Sequence, residues 1–356
     1  MINKKFYLTL SRSYLADENK TLFCKIFKND FEELFEILNK KFVHLLPEKQ
    51  NIDDEISLLR KEKIEILTIN DEYYPKMLNN ISIAPVVLTL KGNKEILNQQ
   101  NVAVVGSRKL EKNDYKLIKN LVKFLNDLNF NVVSGLAQGS DIISHIQSIN
   151  QGTIAVMPCG LKYCYPVEHK IIAEKIVDMD GAIISEFNFN EPPKQCNFIQ
   201  RNSTIVGISN SVIITRAREI RSGTMSNVKF ANQFGRNIYT FNLNDFCNGN
   251  RYLLQNKIAQ IIDNFEDLKL NLIIDIAKNQ HLLTKNNNIN DNVKNNICNN
   301  NLFGLNNSVQ SEIYSISKFA KLQLNEKNIY KIYKLCIDEL KIDKKTLLTE
   351  ILKLVN

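Results

Sequence analysis

Between residues 101 and 242 the chain alternates short apolar runs with longer segments in which apolar residues recur at helical spacing. Each apolar run is bounded by Gly, Ser or Pro. Short runs of this kind are typical of strands buried on both faces of a parallel sheet. The pattern predicts an α/β fold, a Rossmann-like parallel sheet with helices on both faces. The six predicted strands are Val102–Val105, Val132–Val133, Ile154–Met157, Ala182–Ile184, Val212–Ile214 and Ile238–Phe241.

Two further strands are predicted upstream of this alternation. Ile64–Ile69 has the pattern of a strand, and Val86–Leu90 has the same pattern and ends at the turn Lys91-Gly92-Asn93. We expect both strands to join the sheet that follows them. The extended Rossmann-like domain is therefore predicted to cover residues 61–280.

The N-terminal segment, residues 1–60, is rich in Phe, Leu, Lys and Glu. Its residues Phe31, Leu34, Phe35 and Leu38 share one face of a helix. We therefore predict a small helical N-terminal domain.

The C-terminal segment begins with a strong bias toward asparagine. Of the 22 residues from Asn286 to Asn307, 12 are asparagine and few are apolar. Such a segment buries too little surface to offset its ordering entropy, so a flexible linker is predicted over residues 281–309. Residues 310–356 regain helical spacing of apolar positions, which predicts a short helical lobe.

The composition is that of a folded protein with a positive net charge. A hydrophobic fraction of 44% and a charged fraction of 24% exclude disorder throughout the chain. The formal net charge of +8 permits an anionic partner such as nucleic acid. No run approaches the ~18 consecutive apolar residues of a membrane helix, so we expect a cytoplasmic protein with no membrane partner.

The cysteines do not indicate a disulfide framework or a metal site. There are seven of them, and no two form a CxxC pair, so they are expected to be reduced thiols. Cys159, Cys164 and His169 are close in sequence, yet no second pair completes a ligand set. No metal is expected.

Two predicted strands end in loops of small residues that suit an anion. The first ends in Gly106-Ser107-Arg108, and the second in the segment from Ser134 to Asp141. Small side chains leave backbone N–H groups uncovered, and the N-terminus of a helix behind each loop favours a phosphate. The first loop has one glycine and lacks GxGxxG, so no dinucleotide cofactor is expected.

Two residues that follow the second loop have structural interpretations. Asp141 is interpreted as the N-cap of the next helix. His145 lies on the same helix face, where core packing or a hydrogen bond to the loop is expected rather than catalysis, since no nucleophile and orienting group accompany it.

Basic and aromatic residues follow three other predicted strands. Lys162 follows a glycine turn and precedes Tyr163 and Tyr165. The two tyrosines are interpreted as serving either base stacking or loop packing. Arginines are concentrated after the fifth strand, ahead of a helix that begins at Ser222-Gly223-Thr224. Because the carboxyl ends of parallel strands share one edge, these groups are expected to form a phosphate-binding track, with a salt-bridged surface as the alternative. The predicted track comprises Gly106, Ser107, Arg108, Ser134, Gly135, Gln138, Gly139, Lys162, Arg201, Asn202, Arg216, Arg218, Arg221, Ser222, Gly223 and Thr224.

Taken together and in order, these motifs resemble the DNA-processing protein A family of bacteria, also called DprA or Smf. The resemblance covers about residues 62–265. The matching stretches are Val102–Arg108, Val133–Asp141 with His145, Ala155–Leu161 with Tyr165-Pro166, Asn197-Phe198 with Arg201-Asn202, Ser222–Thr224 and, upstream, Tyr74-Pro75 with Lys91-Gly92-Asn93.

The resemblance implies a DNA-binding function rather than an enzymatic one. Members bind single-stranded DNA and hand it to the RecA recombinase during uptake of transforming DNA, so single-stranded DNA and RecA are the expected partners. The DNA site of the family includes the arginine of the first loop, which corresponds to Arg108, and the small-residue loop from Ser134 to Gly139. The terminal lobe at 310–356 resembles a truncated winged helix. A homodimer is one alternative for the oligomeric state.

An enzyme of the same Rossmann superfamily is the competing hypothesis. Phosphoribohydrolases that cleave nucleotides, and that resemble lysine decarboxylases, carry a PGGxGTxxE loop whose Glu is catalytic. The corresponding loop here is Arg221–Asn227, in which Ser226 and Asn227 stand where that Glu would lie. Neither side chain serves as a general acid or base at neutral pH, so the sequence favours binding.

Overall fold

The computed structural model describes residues 2–15, 17, 20–21, 24, 38–39, 43–243 and 248–296, with the backbone alone for residues 2, 3 and 281–296. The chain divides into two compact units, residues 1–54 together with 286–356, and residues 55–285. The second unit carries the sheet and all the predicted phosphate-contacting residues.

Helices make up the regular structure of the described N-terminal residues. Helix α1 spans Ile2–Ser11, a 3₁₀ turn spans Val43–Leu45, and α2 spans Lys49–Lys61. Leu38 is buried, as its position on the predicted apolar face requires, whereas Phe31, Leu34 and Phe35 lie outside the described residues.

Nine strands form one sheet. In chain order they are β1 Glu65–Thr68, β2 Val87–Gly92, β3 Asn101–Val105, β4 Asn131–Ser134, β5 Thr153–Val156, β6 Ala182–Ser185, β7 Ser211–Ile214, β8 Asn237–Thr240 and β9 Gln260–Ile261. Their order across the sheet is β1-β2-β6-β5-β4-β3-β7-β8-β9. All pairs are parallel except those made by β2, which is antiparallel to both β1 and β6. The prediction of a Rossmann-like parallel sheet, joined by two upstream strands, is confirmed.

Helices cover both faces of this sheet. They are α3 Lys76–Asn79, α4 Lys112–Asp127, α5 Ser140–Ser148, α6 Lys170–Asp178, α7 Gln195–Ile208, α8 Gly223–Gln233, α9 Asn248–Gln255 and α10 Phe265–Asn296. On one face, α4 and α10 bury Ile118, Leu121 and Leu272 against β3, β4, β7 and β8. On the same face α6 packs Ala173 and Ile176 near Met157 and Ile183. The helices α7 and α8 pack on each other and on strands of the same sheet.

The direction of chain crossing changes at β3. The chain moves from β3 to β4 on one side, and β7 pairs with β3 on the other side. In open parallel sheets such a switch point leaves a crevice at the carboxyl ends of the strands. The loops after β3 and β7 therefore meet where a ligand site is expected.

A buried polar network fastens α10 to the sheet. The Asp275 carboxylate accepts hydrogen bonds from Ser211 Oγ at 2.6 Å, from Tyr239 Oη at 2.8 Å and from Asn237 Nδ2. One helical turn further on, Asn279 Nδ2 donates to the Asn210 carbonyl oxygen at 3.1 Å. These bonds hold the first half of α10 on β7 and β8.

Helix α10 continues to Asn296, so the first part of the predicted linker at 281–309 is helical in the structure. The remainder of that segment and the predicted lobe at 310–356 lie outside the described residues. Of the helices within the described ranges, none combines the length and apolar character that crossing a bilayer requires.

The Asp275 network leads to a test of stability. Asp275→Ala leaves two buried donors, on Ser211 and Tyr239, and the half-buried amide of Asn237 without an acceptor. Each unsatisfied buried donor costs about 1–3 kcal/mol, so the free energy of unfolding should fall by about 3 kcal/mol. Denaturant unfolding measures this change. Asp263→Ala, at an exposed position just before α10, is the control and should change stability by less than about 0.5 kcal/mol. Equal stability of the two variants would contradict the role given to Asp275.

Candidate nucleic-acid interface

The loops after β3, β4 and β7 are tied together at the carboxyl edge of the sheet. The Ser107 N–H donates to the Arg216 carbonyl oxygen at 2.8 Å, and the Ser140 N–H donates to the Ser107 carbonyl oxygen at 3.2 Å. The hydroxyl oxygens of Ser140 and Thr215 lie 2.6 Å apart. These bonds join three loops that are far apart in sequence into one surface.

Glycines allow this close approach of the loops. Gly139 has φ +78°, and a Cβ there would overlap the carbonyl oxygen of Ser107. A Cβ at Gly106 would overlap the hydroxyl of Thr215. The small residues seen in the sequence are therefore required for loop packing, whether or not they also face a ligand.

The backbone N–H groups at the start of the β4 loop have acceptors within the protein. Gly135 and Ala137 donate to the Asp141 carboxylate at 3.1 and 3.4 Å. Leu136 donates to His145 Nε2 at 3.3 Å. Core packing and a hydrogen bond to the loop are the two structural roles expected for His145, and the structure shows a fully buried side chain that makes this hydrogen bond. Asp141, in contrast, does not cap the helix: the N-cap position of α5 is Gly139, and the carboxylate turns back to the loop.

This arrangement corrects the prediction for Ser134 and Gly135. Both are buried, and the Ser134 hydroxyl donates to the Val104 carbonyl oxygen at 2.7 Å. They cannot contact a phosphate in this conformation. Gln138 is exposed and Gly139 half-buried at the tip of the same loop, and neither backbone N–H has an acceptor within the described residues. The tip, not the start, is the part of this loop that a ligand can reach.

Arg201 is buried beneath the β4 loop rather than exposed at the edge. Its Nη1 donates to the carbonyl oxygens of Gly135 at 2.6 Å and Val156 at 2.7 Å. A Cβ at Gly135 would overlap this guanidinium. Arg201 therefore links the ends of β4 and β5 to α7, and the prediction that it lies on the phosphate track is wrong for this conformation.

Desolvation shifts the pKa values of the ionisable groups in this buried cluster. Burial raises the pKa of Asp141 above its ordinary value, although the Arg201 charge and the loop N–H groups act in the opposite direction. Burial lowers the pKa of Arg201 to about 10, so the side chain remains a cation at neutral pH. Burial, with a smaller effect of Arg201, lowers the pKa of His145 to about 3, so His145 is neutral.

Arg216 is a second arginine that serves the fold. It is only 4% exposed, and its Nε and Nη2 contact the two carboxylate oxygens of Asp114 at 2.5 and 3.0 Å. Asp114 in turn accepts the backbone N–H of Glu111 and closes the capping box of α4. The prediction that Arg216 faces a polyanion is therefore also wrong, since a paired and buried guanidinium has no free donor surface for one.

Asn202 likewise supports the edge from below. It is buried, accepts a hydrogen bond from Arg201 Nε at 3.2 Å and donates to Ser226 Oγ at 2.7 Å. This contact braces the first turn of α8 against α7. Asn202 is therefore not available to a phosphate in this conformation, contrary to the prediction.

The remaining predicted cations are exposed. Arg108 lies on the β3 loop, Lys162 on the β5 loop, and Arg218 and Arg221 on the β7 loop. Arg218 is 3.8 Å from Glu111 and retains about half of its surface. Lys109, which the sequence interpretation did not include, is exposed beside Arg108.

The N-terminus of α8 adds backbone donors next to these cations. Ser222 is the N-cap, Gly223 is exposed and Thr224 half-exposed, and the first turn holds no acidic residue. The N–H groups of Gly223 and Thr224 have no acceptor within the described residues. Free N–H groups and the positive end of a helix dipole favour an anion at this point.

Aromatic rings lie between the cations of the β3 and β5 loops. The Arg108 guanidinium lies 5.6 Å from the centroid of the Phe198 ring, and Phe198 meets Tyr165 edge to face at 5.3 Å. Tyr163 and Tyr165 are each more than one third exposed. Phe198 was missed as a site residue by sequence reasoning, and only its place in the Asn197-Phe198 motif could have indicated it.

No metal centre is present among the residues that the structure describes, since no three His, Cys, Asp or Glu side chains are grouped to hold an ion. Cys159 is a buried free thiol whose Sγ lies 3.8 Å from the Tyr163 carbonyl oxygen. The described edge therefore offers guanidinium, ammonium, backbone N–H and aromatic groups, which are the groups that bind a phosphate chain with exposed bases.

Comparison with known proteins finds a matching family for this part of the chain. The family model for DNA recombination-mediator protein A matches residues 65–272. DNA processing protein DprA of Streptococcus pneumoniae is 32% identical over 222 residues, which make up 61% of this chain and 77% of that protein.

Two solved structures are similar. The X-ray structure of DprA from Streptococcus pneumoniae matches with a TM-score of 0.62 and 28% identity, over 74% of this chain and 95% of that one. The structure of DNA processing protein A from Helicobacter pylori, described for its single-stranded DNA binding mode, matches with a TM-score of 0.54 and 26% identity, over 60% of this chain and 97% of that one.

The two classes of arginine at this edge can be separated by stability. Arg201→Ala removes a buried cation near Asp141 and leaves two carbonyl oxygens unpaired, so the free energy of unfolding should fall by about 3–5 kcal/mol. Arg218→Ala removes the same charge from the surface and should change it by less than about 0.5 kcal/mol. Chemical denaturation of both variants gives the comparison. If Arg201→Ala were as stable as Arg218→Ala, the buried bracing role would be refuted.

His145 should make stability depend on pH. An unfolded histidine titrates near its ordinary pKa of 6.5, whereas folded His145 stays neutral down to about pH 3. In that window the unfolded state binds one more proton, so the free energy of unfolding falls as the pH falls, by about 1.4 kcal/mol per pH unit.

The His145→Gln variant isolates this effect. Between pH 7.5 and 5 the wild-type protein should lose about 2 kcal/mol more stability than the variant. Asp141, whose raised pKa acts in the opposite sense, is present in both proteins and contributes to both curves. Parallel pH profiles for the two proteins in denaturant titrations would show that His145 is not held neutral.

Proposed function

The chain belongs to the DNA recombination-mediator protein A family, and from this membership and the chemistry of its strand edge we propose that it binds single-stranded DNA across the loops after β3, β5 and β7. The observation that carries the proposal is the combination of exposed cations and exposed aromatic rings on loops that hydrogen bonds hold together. Cations alone would suit any polyanion. Rings beside them suit a polyanion whose bases are unpaired.

The phosphate chain has several proposed partners on this edge. Arg108, Arg218 and Arg221 present guanidinium groups, each able to hold a phosphate through two parallel hydrogen bonds. The N-terminus of α8, at Gly223 and Thr224, lies next along the chain after Arg221 and offers backbone N–H groups. These contacts carry no base preference, so binding should be insensitive to sequence.

The bases have a separate set of partners. Phe198, on α7, contacts Arg108 of the β3 loop and Tyr165 of the β5 loop. The T-shaped contact between the two rings leaves Tyr165 partly exposed for stacking. Stacking on an aromatic ring contributes about 1–3 kcal/mol per base and requires a base that is free of a duplex. A preference for single strands over duplex DNA follows.

Binding accounts for the edge better than catalysis. In the Arg221–Asn227 loop, Ser226 Oγ donates to the Gly223 carbonyl oxygen at 2.7 Å and also receives the Asn202 side chain. Asn227 is buried. Neither group can exchange a proton with a nucleotide at neutral pH, which supports a binding protein over a phosphoribohydrolase.

The partners of the protein follow from family membership and stay part of the proposal. We extend it to handing the bound strand to the RecA recombinase and to protecting incoming DNA. A homodimer is supported by a row of exposed apolar side chains on α10, namely Leu270, Ile273 and Ile274, which share one helix face. Such a face in contact with water is typical of a protein–protein interface.

The salt dependence of binding tests the proposed site. Each phosphate contact to a single strand contributes about −0.7 to the slope of log affinity against log salt, because neutralising a phosphate releases counterions. Arg108→Ala should therefore flatten this slope by about 0.7 and weaken binding to all sequences alike. Fluorescence polarisation with labelled oligonucleotides across a salt series measures both quantities.

The control for this test is Lys119→Ala, which removes one exposed positive charge from the middle of α4. It should leave affinity and slope close to those of the wild type. If Arg108→Ala behaved as this control does, the β3 loop would not contact DNA and the proposed site would be wrong.

A further inference from the structure

A groove of about 1080 Å³ lies beside the strand edge, within residues 55–285. It is bordered by the end of α2, by the end of β2, by the β5 loop and by α6. Its apolar lining includes Leu58, Met157, Leu161, Val177, Ile183 and Phe189. The volume slightly exceeds the usual range for small-ligand sites, about 300–1,000 Å³, so the groove has room for more than one base-sized group.

The groove is flanked by lysines without anionic partners. Lys63 and Lys162 are exposed and Lys91 is half-buried, and none of the three forms an ion pair within the described residues. A fourth lysine on the rim, Lys170, lies 3.9 Å from Glu174. The carboxylates of Glu62 and Asp178 also border the groove, so the rim carries one more positive than negative charge.

The groove is continuous with the proposed DNA site. Lys162 and Tyr163 belong to the β5 loop at the carboxyl edge and also line the groove. The Lys162 ammonium lies 5.6 Å from the centroid of the Tyr163 ring, and that ring is 37% exposed. A DNA strand that passes Tyr165 at the carboxyl edge of the sheet reaches Tyr163 and Lys162 next.

The groove extends from the carboxyl ends of the strands toward the amino end of β6. Gly92 lines it, and Gly92 pairs with Ala182 at the amino end of β6, whereas Met157 lies beyond the carboxyl end of β5. The groove therefore spans β6, whose four residues measure about 13 Å at 3.3 Å each. This length accommodates a few nucleotides.

We propose that this groove is a second binding segment for unpaired nucleotides, in which bases lie on the apolar lining and phosphates meet Lys63, Lys91 and Lys162. This inference rests on the proposed strand-edge function and extends it, because the DNA leaves the edge through Tyr163 and continues toward Lys91. The apolar lining favours bases over a bare polyphosphate, and the unpaired lysines favour a partner with a phosphate chain over an apolar peptide.

The experiment compares short and long oligonucleotides. A thymidine oligonucleotide of about 5 residues engages the edge alone, and one of about 20 residues reaches the groove as well. The double variant Lys63→Glu with Lys91→Glu should bind the short oligonucleotide within about twofold of the wild type. It should bind the long one at least tenfold more weakly, with a salt slope flattened by about 1.4, the value for two lost phosphate contacts.

A second variant, Val177→Trp, fills the groove without changing its charge and should weaken long-oligonucleotide binding only. Lys119→Ala serves as the control, and circular dichroism confirms that each variant is folded. If both groove variants bound the long oligonucleotide as the wild type does while Arg108→Ala weakened it, the groove would be excluded and the strand-edge function would stand.

Two other results would overturn the groove segment. Equal weakening of short and long oligonucleotides by the groove variants would show an effect of the general electrostatic field rather than a second segment. Unchanged binding by Arg108→Ala would reject the strand-edge function itself, and with it the path into the groove.

Discussion

The buried guanidinium of Arg201 holds together the ends of two neighbouring strands and a helix. It donates to the carbonyl oxygens of Gly135 and Val156, and Asp141 nearby receives the N–H groups of the same loop. A desolvated charge is tolerated only where its donors are satisfied and a counter-charge is near, so this cluster fixes the loop geometry. The exposed residues of the edge depend on that geometry for their positions.

The division of the arginines follows from this constraint. Arg201 and Arg216 bind acceptors inside the protein. The predicted cations that face solvent are Arg108, Lys162, Arg218 and Arg221. The buried pair makes the loops rigid, and rigid loops lose little entropy when a ligand binds them. The exposed residues proposed to bind DNA and the structural residues beneath them therefore form two layers of one proposed site.

The sequence predicted the sheet well and the roles of its polar residues less well. Apolar runs such as Val102–Val105 and Val212–Ile214 are explained by burial in a parallel sheet. The structure places both runs in strands, β3 and β7, which confirms their prediction. Arg216 and Arg218 are two residues apart in the same loop, and nothing in their spacing shows that Asp114, a hundred residues earlier, pairs with only one of them at close range.

The same limit applies to the β4 loop. Its small residues correctly indicated a close approach of backbones, yet its N–H groups are satisfied by Asp141 and His145. The partner of an amide depends on the direction of a side chain after folding. Phe198 is a residue that the sequence did not single out as part of the site. Its contacts with Arg108 and Tyr165 join three separate elements that meet only in the folded protein.

The most direct test of the account is a hydrogen-exchange footprint of the protein with and without single-stranded DNA. We expect DNA to slow amide exchange in the loops at 106–110, 160–166 and 218–224. The peptide 149–152, which precedes β5 at its amino end and does not line the groove, should be unchanged. Slower exchange confined to the amino ends of the strands or to residues 1–54, with the three loops unaffected, would contradict the placement of the DNA site.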